Sequence, residues 1–288
     1  MPNHAPALWI LAASLLFATM SALVKVAAAG VSLPEIVFFR SLPAGVVLFA
    51  MARFRRERIA TRQWRLHALR CVVGVCTMFV GFYAVSKLPL ATATTLEYTT
   101  PLFILACMIV FARRHITPQI AFAMIGGFAG VVVLMRPTLE TGQTLAFAAA
   151  LASAALAGVV YALIRRLSDA GEPTWRIVFW NSLTGTVIAA TLIPFSPRSD
   201  YSVQAIVALG AVGIVGLLAQ LAMTRAFSTG PATLLASLQY STVAFAALYG
   251  VIIWGDTLSF ASVLGLSLIV LSGIVALRRA DKAIQVES

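Results

Sequence analysis

One stretch of the sequence occurs twice in related form. Residues 84–103 read AVSKLPLATATTLEYTTPLF, and residues 226–245 read AFSTGPATLLASLQYSTVAF. The two stretches align at an offset of 142 residues, as the numbers of Pro89 and Pro231 show (231 − 89 = 142). Further identical positions pair Leu96 with Leu238, Tyr98 with Tyr240, Thr100 with Thr242 and Phe103 with Phe245. Matches of this kind, in one order and at one spacing, indicate an internal repeat.

The repeat extends beyond this stretch at nearly the same offset. Residues 38–42, FFRSL, match residues 179–183, FWNSL, and Gly130-Val131 matches Gly273-Ile274. The two halves therefore divide the chain into a first repeat, residues 1–140, and a second repeat, residues 141–288.

The composition predicts that both repeats lie in a membrane. Of the 288 residues, 60% are apolar and 11% are charged, whereas a soluble protein has about a quarter charged residues. Ten transmembrane helices of roughly 20 residues would use about 200 residues. The remaining residues suffice for short loops and tails, which excludes a separate soluble domain.

Apolar runs bounded by Pro, Gly and charged residues predict ten membrane spans, and hence an all-α integral membrane protein. The predicted spans are 7–29, 34–52, 66–86, 90–112, 117–135, 144–165, 174–194, 203–227, 231–253 and 258–278. In the fifth span, Gly126 and Gly130 form a GxxxG motif, which we interpret as a site of close helix packing.

The basic residues predict the direction of the chain in the membrane. With the N-terminus inside, fifteen Lys and Arg residues fall in inner loops and the C-terminal tail, and four fall outside. This bias places both termini in the cytoplasm of an inner-membrane protein. It also explains the net charge of +11 without a nucleic-acid partner.

Five spans per repeat is an odd number, so the second repeat enters the membrane from the opposite side. Inverted repeats of this kind are typical of secondary transporters, which alternate between two conformations around a site near the middle of the bilayer. The sequence therefore favours transport over catalysis or a purely structural role.

The repeated stretches also resemble a known family. LPLATATTLEYTTPLF in the first half is similar to one copy of the EamA domain, and GPATLLASLQYSTVAFAALYGVIIWGDTLS followed by GLSLIVLSGIVAL is similar to the other. The resemblance implies the drug/metabolite transporter superfamily, with ten helices in two five-helix inverted repeats. Similar proteins export amino acids, related metabolites or toxic organic compounds, and some transport nucleotide-like molecules. Asp256 stands where family members often have Glu, and Arg114 occupies the equivalent position of the first half.

Two charged residues inside the spans are the first candidates for a substrate site. Arg40 lies roughly 9 Å and Glu97 about 10 Å below the outer surface, at 1.5 Å per residue. In the second repeat, the same positions are Asn181 and Gln239. Arg40 and Glu97 either form a structural ion pair or line a cavity, where they would bind the carboxylate and the amine of a zwitterion.

Proline positions predict where the helices bend. Pro101 cannot donate a hydrogen bond to the carbonyl of Glu97, and the second repeat has Val243 at that position. We therefore expect a break in the first repeat only, which is either a plain kink or part of a site. Pro89 and Pro231 close short loops and are the other predicted hinges. Arg70, close to a cytoplasmic helix end, is expected to extend towards the surface.

Further polar and aromatic residues within spans are candidates for substrate binding, although packing explains each of them equally simply. They are Tyr83, Tyr98, Tyr161, Trp180, Gln220 and Tyr240, beside Asn181 and Gln239.

The predicted function is secondary transport that exports small metabolites, such as amino acids or related compounds, by alternating access. Export of toxic organic cations or drugs is the alternative, followed by an intramembrane enzyme, a channel or a structural subunit. No hydrolase, zinc-protease or nucleotide-binding motif occurs, so we expect no catalytic residue, no metal and no cofactor. The expected partners are a small-molecule substrate and the lipid bilayer, and a monomer suffices for this mechanism.

Overall fold

A computed structural model describes residues 5–27, 30–88, 95–110, 118–135, 143–255 and 259–286. The described residues form helices and connections without a strand, which confirms the all-α prediction. Within them, eight helical segments are long and apolar enough to cross a membrane. The third and fourth predicted spans are not among the eight. The helix observed at the third span, Trp64–Lys87, carries Arg65, Arg70 and Lys87, and the fourth is described as a helix over 11 residues.

The helices follow the predicted spans closely. We number them α1 (Ala5–Ala27), α2 (Leu33–Phe54), α3 (Trp64–Lys87), α4 (Thr100–Val110), α5 (Pro118–Met135), α6 (Thr144–Asp169), α7 (Thr174–Leu192), α8 (Val203–Thr229), α9 (Ala232–Gln239), α10 (Ser241–Trp254) and α11 (Phe260–Val286). Three sequence features that lie outside the described residues are Pro89, Arg114 and Asp256.

Short capping motifs determine where several helices begin and end. Ser32 and Glu35 form a capping box at the start of α2, and Pro34 occupies the first turn, where its missing N–H is not needed. Ser202 accepts a hydrogen bond from the backbone N–H of Ala205 (3.1 Å) and so caps α8. Gly255 follows α10 with a φ of 69°, in the left-handed region that glycine tolerates best.

The connections between helices meet at the two ends of the bundle. At one end, the α2–α3 connection meets the α6–α7 connection, because Arg176 Nη2 donates to the Arg58 carbonyl (2.6 Å). We call this the arginine-rich end. At the opposite end, the α1–α2 connection meets the α7–α8 connection, because the Asp200 N–H donates to the Gly30 carbonyl (2.7 Å). The α1–α2 connection of the first repeat and the α6–α7 connection of the second repeat therefore lie at opposite ends of the bundle.

The core of the bundle joins both repeats. Its largest apolar cluster includes Ile10 of α1, Ile164 of α6, Phe227 of α8 and Leu235 of α9. Large apolar side chains also cover the outside, for example Ile252, which is 77% exposed. A surface of this kind is stable in contact with lipid rather than water.

The repeated stretch contains a helix break in both halves, which shows that the expectation of a break in the first repeat only was wrong. The helix interrupts at Tyr98 and Thr99 before α4, and at Tyr240 between α9 and α10. Thr99 donates its hydroxyl to the Leu96 carbonyl (2.6 Å), and Ser241 donates to the Leu238 carbonyl (2.6 Å). These hydroxyl bonds occupy repeat-related positions and compete with the regular backbone bonds. A proline is therefore not required for the break.

In the first repeat, the carbonyl that Pro101 leaves free does find a partner. Thr100 Oγ1 donates a hydrogen bond to the Glu97 carbonyl (2.7 Å). The break is thus satisfied within the protein, as an unpaired carbonyl in an apolar environment would be costly.

Glycines allow close helix crossings between the repeats. A Cβ atom on Gly130 of α5 would lie 2.7 Å from the Gly265 carbonyl oxygen of α11, and the reverse contact has the same distance. A Cβ atom on Gly127 would lie 2.6 Å from the Tyr240 ring. By contrast, a Cβ atom on Gly126 would meet no described atom within 4 Å. The interface therefore uses Gly127 and Gly130, and the GxxxG interpretation was wrong for Gly126.

This difference gives a stability prediction with an internal control. Gly130→Ala should lower the melting temperature of the detergent-solubilised protein, because overpacking against backbone costs about 1–3 kcal/mol. Gly126→Ala adds the same methyl group one turn away and should leave the melting temperature within experimental error. Equal effects of the two variants would contradict the assigned α5–α11 interface.

Candidate functional site

Arg40 and Glu97 lie inside the bundle and face each other. Arg40 is the eighth residue of α2, and Glu97 directly precedes the helix break before α4. The two charges interact electrostatically, but among the described residues no salt bridge of 4.0 Å or less joins them. Glu97 lies among the helices, yet much of its surface is not covered by other residues. The geometry is therefore that of two opposite charges that interact without direct contact.

Close packing fixes the position of the Arg40 side chain. A Cβ atom on Gly216 of α8 would lie 3.3 Å from Arg40 Cγ and 3.3 Å from Met20 Sδ. One helix turn along, a Cβ atom on Gly213 would lie 2.7 Å from the Phe39 carbonyl oxygen. The small residues of α8 therefore allow α2 to pack closely and leave space for the aliphatic part of the Arg40 side chain.

Three further candidates from the sequence surround Glu97. Gln239 Nε2 donates to the Tyr161 hydroxyl (2.7 Å), and Tyr161 interacts electrostatically with Glu97. Tyr98 hydrogen-bonds to the side chain of Thr242 in the second repeat. The two breaks at Tyr98 and Tyr240 are thus linked through residues of both halves, and Thr242 is a member of this group that the sequence reasoning did not identify.

Arg70 does not extend towards the surface, so that expectation was wrong. Its side chain is 4% exposed, and its Nη1 atom donates to Asn181 Oδ1 (2.8 Å). It also interacts electrostatically with Tyr161 and Arg40. Gly74 makes this inward course possible, because a Cβ atom there would lie 2.4 Å from Arg70 Nη1. A glycine one helix turn after a long cation is the sequence signal that could have revealed it.

The remaining predicted residues lie farther from this group or in a different environment. Tyr83 is 40% exposed, whereas Gln220 is 9% exposed in α8. Trp180 packs edge-on against Phe179, with ring centroids 5.5 Å apart. Tyr240 is fully buried, and Gly127 leaves space for its ring.

The predicted hinge residues have different surroundings. Pro101 is buried in the first turn of α4, and Pro231 is exposed at the start of α9. Together, the structure brings into one region Arg40, Arg70, Glu97, Tyr98, Tyr161, Asn181 and Gln239. No group of three potential metal ligands occurs among the described residues.

A buried carboxylate joins the repeats at each end of the bundle. At the arginine-rich end, Glu172 accepts hydrogen bonds from Thr61 and from Arg176 Nη1 (2.9 Å), and lies 3.3 Å from His67 Nε2. At the opposite end, Glu35 accepts from Ser199 and from the Tyr201 hydroxyl (2.8 Å). The same conformation contains both clusters, so they hold α2 and α7 together at both ends at once.

The chain reaches Glu172 through a glycine turn. Gly171 has a φ of 83°, and its N–H donates to the Ser168 carbonyl (2.9 Å) while the Glu172 N–H donates to the Leu167 carbonyl (3.0 Å). This pair of bonds is a Schellman motif, which requires a left-handed residue. It ends α6 and turns Glu172 towards the α2–α3 connection.

The Glu172 cluster should make stability depend on pH. Burial raises the pKa of Glu172, but hydrogen bonds from Thr61, Arg176 and His67 outweigh burial and hold the pKa below its ordinary value of 4.5. A depressed pKa in the folded protein stabilises it above the unfolded value, and this stabilisation is lost as the pH falls through the folded value. From about pH 5 downwards, the melting temperature of the wild type should fall more steeply than that of Glu172→Gln. Glu57→Gln, in the α2–α3 connection that also contains Thr61, is the control and should follow the wild type.

Comparison with known proteins gives a consistent assignment. The EamA-like transporter family matches residues 4–136 and again residues 144–278. The chain is 30% identical over 274 residues to the pseudopaline exporter CntI of Pseudomonas aeruginosa (strain UCBPP-PA14), covering 94% of each protein. It is 28% identical to an uncharacterized transporter of Helicobacter pylori (strain ATCC 700392 / 26695), covering 92% of each.

More distant similarities agree with this result. A riboflavin transporter of Brucella anthropi is 21% identical over 232 residues, which cover 80% of this chain and 82% of the relative. A solved crystal structure has the same fold with a TM-score of 0.84 at 22% identity, and the match covers 96% of this chain and 99% of that one. The two family matches span nearly the whole chain, and the chain therefore belongs to the EamA-like transporter family.

Proposed function

We propose that this membrane transporter is a secondary exporter of small zwitterionic metabolites, such as amino acids or related compounds. The observation that supports this proposal best is the separation of Arg40 and Glu97. Their charges face each other without a salt bridge of 4.0 Å or less among the described residues, and the surface of Glu97 is left accessible. A buried ion pair that only stabilised the fold would be expected to close.

In this proposal, Arg40 binds the substrate carboxylate and Glu97 binds the amine. Tyr161 and Gln239, which share a hydrogen bond of 2.7 Å, position the middle of the substrate. The breaks at Tyr98 and Tyr240 supply unwound backbone beside the site. Discontinuous helices of this kind build the substrate sites of many secondary transporters.

The proposed mechanism is alternating access between two five-helix inverted repeats, residues 1–140 and 141–288. Two observations support the inversion. The α1–α2 connection and the α6–α7 connection, which the repeat relates, lie at opposite ends of the bundle. The helix breaks also occupy positions that the repeat offset relates. In the proposed cycle, α3 and α4 move about the loop at Pro89, while α8 and α9 move about Pro231.

We further propose an inner-membrane location with both termini in the cytoplasm, which the excess of Lys and Arg at the arginine-rich end supports. The direction of export is proposed by analogy with the relative named as a pseudopaline exporter. We propose no catalytic step, because the named relatives are transporters.

Exchange assays in proteoliposomes test this proposal. Purified protein reconstituted with an excess of unlabelled amino acids inside should accumulate labelled amino acid from outside, and empty liposomes should not. Exchange of organic cations without exchange of amino acids would favour drug export instead. Chemical conversion of the labelled compound would indicate an enzyme and would overturn the proposal.

A further inference from the structure

The first repeat provides both guanidinium groups of the candidate site, from Arg40 of α2 and Arg70 of α3. Asn181 is the repeat equivalent of Arg40, at an offset of 141 residues (181 − 40 = 141). Arg70 Nη1 donates to Asn181 Oδ1 at 2.8 Å. The cation that the second repeat lacks at residue 181 is thus supplied by α3, and the Arg40 and Arg70 charges lie close enough to interact.

The position of Arg70 requires specific features of its surroundings. A Cβ atom on Gly74 would lie 2.4 Å from Arg70 Nη1 and 3.2 Å from Asn181 Oδ1, so any larger residue would displace the guanidinium group. Arg70 is 4% exposed, and its Nε atom has no hydrogen-bond partner among the described residues. A buried donor without a partner is costly, and a bound anion could satisfy it.

Among the residues that the structure describes, the carboxylates around the site do not balance the two arginines. Glu97 faces Arg40, but its repeat equivalent is the neutral Gln239. The groups that interact with Arg70 are Cys71, Tyr161, Arg40 and, on the same helix, His67. Glu172 is also on this side of the bundle, but it is bound to Thr61, Arg176 and His67.

From this charge balance, we infer that the site binds substrates with a net negative charge and at least two carboxylates. One carboxylate would bind Arg40 and another would bind Arg70, while the amine binds Glu97. This inference rests on the proposed transport of zwitterionic metabolites and narrows it. Two cations and one carboxylate within the bundle are unfavourable in a membrane until an anion compensates them.

Matched pairs of amino acids provide the probes. Glutamate and glutamine have nearly the same shape and differ by one charge, as do aspartate and asparagine. Wild-type protein in proteoliposomes should exchange the acidic member of each pair at least about tenfold faster, since a hydrogen bond between charged groups is lost with the neutral member. In Arg70→Gln, this preference should fall towards equality, whereas Arg166→Gln, an exposed arginine of α6, should retain it.

A second variant tests the inference because it should gain a preference for neutral amino acids. Gln239→Glu adds a carboxylate at the repeat equivalent of Glu97, and the Tyr161 hydroxyl beside it can donate to that carboxylate. The site then has two cations and two anions, and exchange should shift towards glutamine and asparagine. A misfolded protein would lose all exchange and could not produce this shift.

The outcomes separate the inference from the proposed function. Equal exchange of acidic and neutral amino acids by the wild type would overturn the inference and leave the proposed function standing. An unchanged acidic preference in a folded Arg70→Gln protein would also overturn it. If the folded wild-type protein exchanges none of the four amino acids, the proposed function fails, and the inference fails with it.

Discussion

Combining Arg40→Asn with Glu97→Gln should reduce exchange of a zwitterionic substrate by at least about 100-fold while the protein still folds. Each substitution removes one charged hydrogen bond to the substrate, and each such bond contributes roughly a factor of ten or more. The double variant copies the amides at Asn181 and Gln239 of the second repeat, so neither position is left with an unpaired charge. Melting temperature and exchange should be measured on the same preparations.

The single variants separate binding from structural support. Because no salt bridge joins Arg40 to Glu97 among the described residues, Glu97→Gln alone should lower the melting temperature only slightly. Breaking a closed buried pair would instead cost about 3–5 kcal/mol, by comparison with soluble proteins, and the double variant would recover that loss. Recovery of stability and of full exchange together would mean that Arg40 and Glu97 are a structural pair, and would remove both from the substrate site. Arg166→Asn, an exposed change in α6, is the control for the loss of an arginine.

The sequence was sufficient to predict an all-helical membrane protein, because membrane spans depend on patterns along the chain. Long apolar runs determine membrane spans whatever their neighbours are, and the spacing of Pro89 and Pro231 remains visible without a structure. Depth along a helix could also be estimated from the rise per residue; it predicted similar depths for Arg40 and Glu97, and the two charges interact in the structure.

The direction of a side chain around its helix was much harder to predict. Arg70 lies near a helix end and was expected to extend outwards, but Gly74 and Asn181 direct it inwards. Asn181 belongs to the other repeat, so this contact is not encoded by local sequence. For the same reason, the carboxylate clusters around Glu35 and Glu172 could not be predicted, since their hydroxyl donors come from connections more than a hundred residues away.

The break at Tyr240 has a different explanation. Breaks in membrane helices were expected at proline, and Val243 occupies the relevant position of the second repeat. The structure shows that Ser241 and Thr99 produce related breaks through bonds from their hydroxyls to backbone carbonyls. Serine and threonine beside the repeated tyrosine are therefore the more informative pattern.

A disulfide between α3 and α6 should trap the transporter and abolish exchange. A Cβ atom on Gly81 would lie 3.7 Å from Ser153 Cβ, within the usual range for a disulfide. The pair joins the first repeat to the second, and α3 leads directly to the proposed hinge at Pro89. Gly81→Cys with Ser153→Cys, in a protein whose native cysteines are replaced by serine, should therefore lock α3 against the second repeat.

A matched pair between α2 and α7 provides the control. A Cβ atom on Gly185 would lie 3.6 Å from Ser41 Cβ, so Ser41→Cys with Gly185→Cys should form a disulfide equally well. These two helices are held together at both ends by the Glu35 and Glu172 clusters, and we expect them to stay together during transport. The oxidised control should retain most of its exchange activity.

Exchange in proteoliposomes before and after reduction of the Gly81→Cys and Ser153→Cys protein is the most direct test of alternating access between the repeats. We predict that the oxidised protein shows no exchange above empty liposomes and that a reducing agent restores it, while the α2–α7 control exchanges in both states. Full exchange by the oxidised α3–α6 protein, with the disulfide verified by mass spectrometry, would contradict the proposed mechanism.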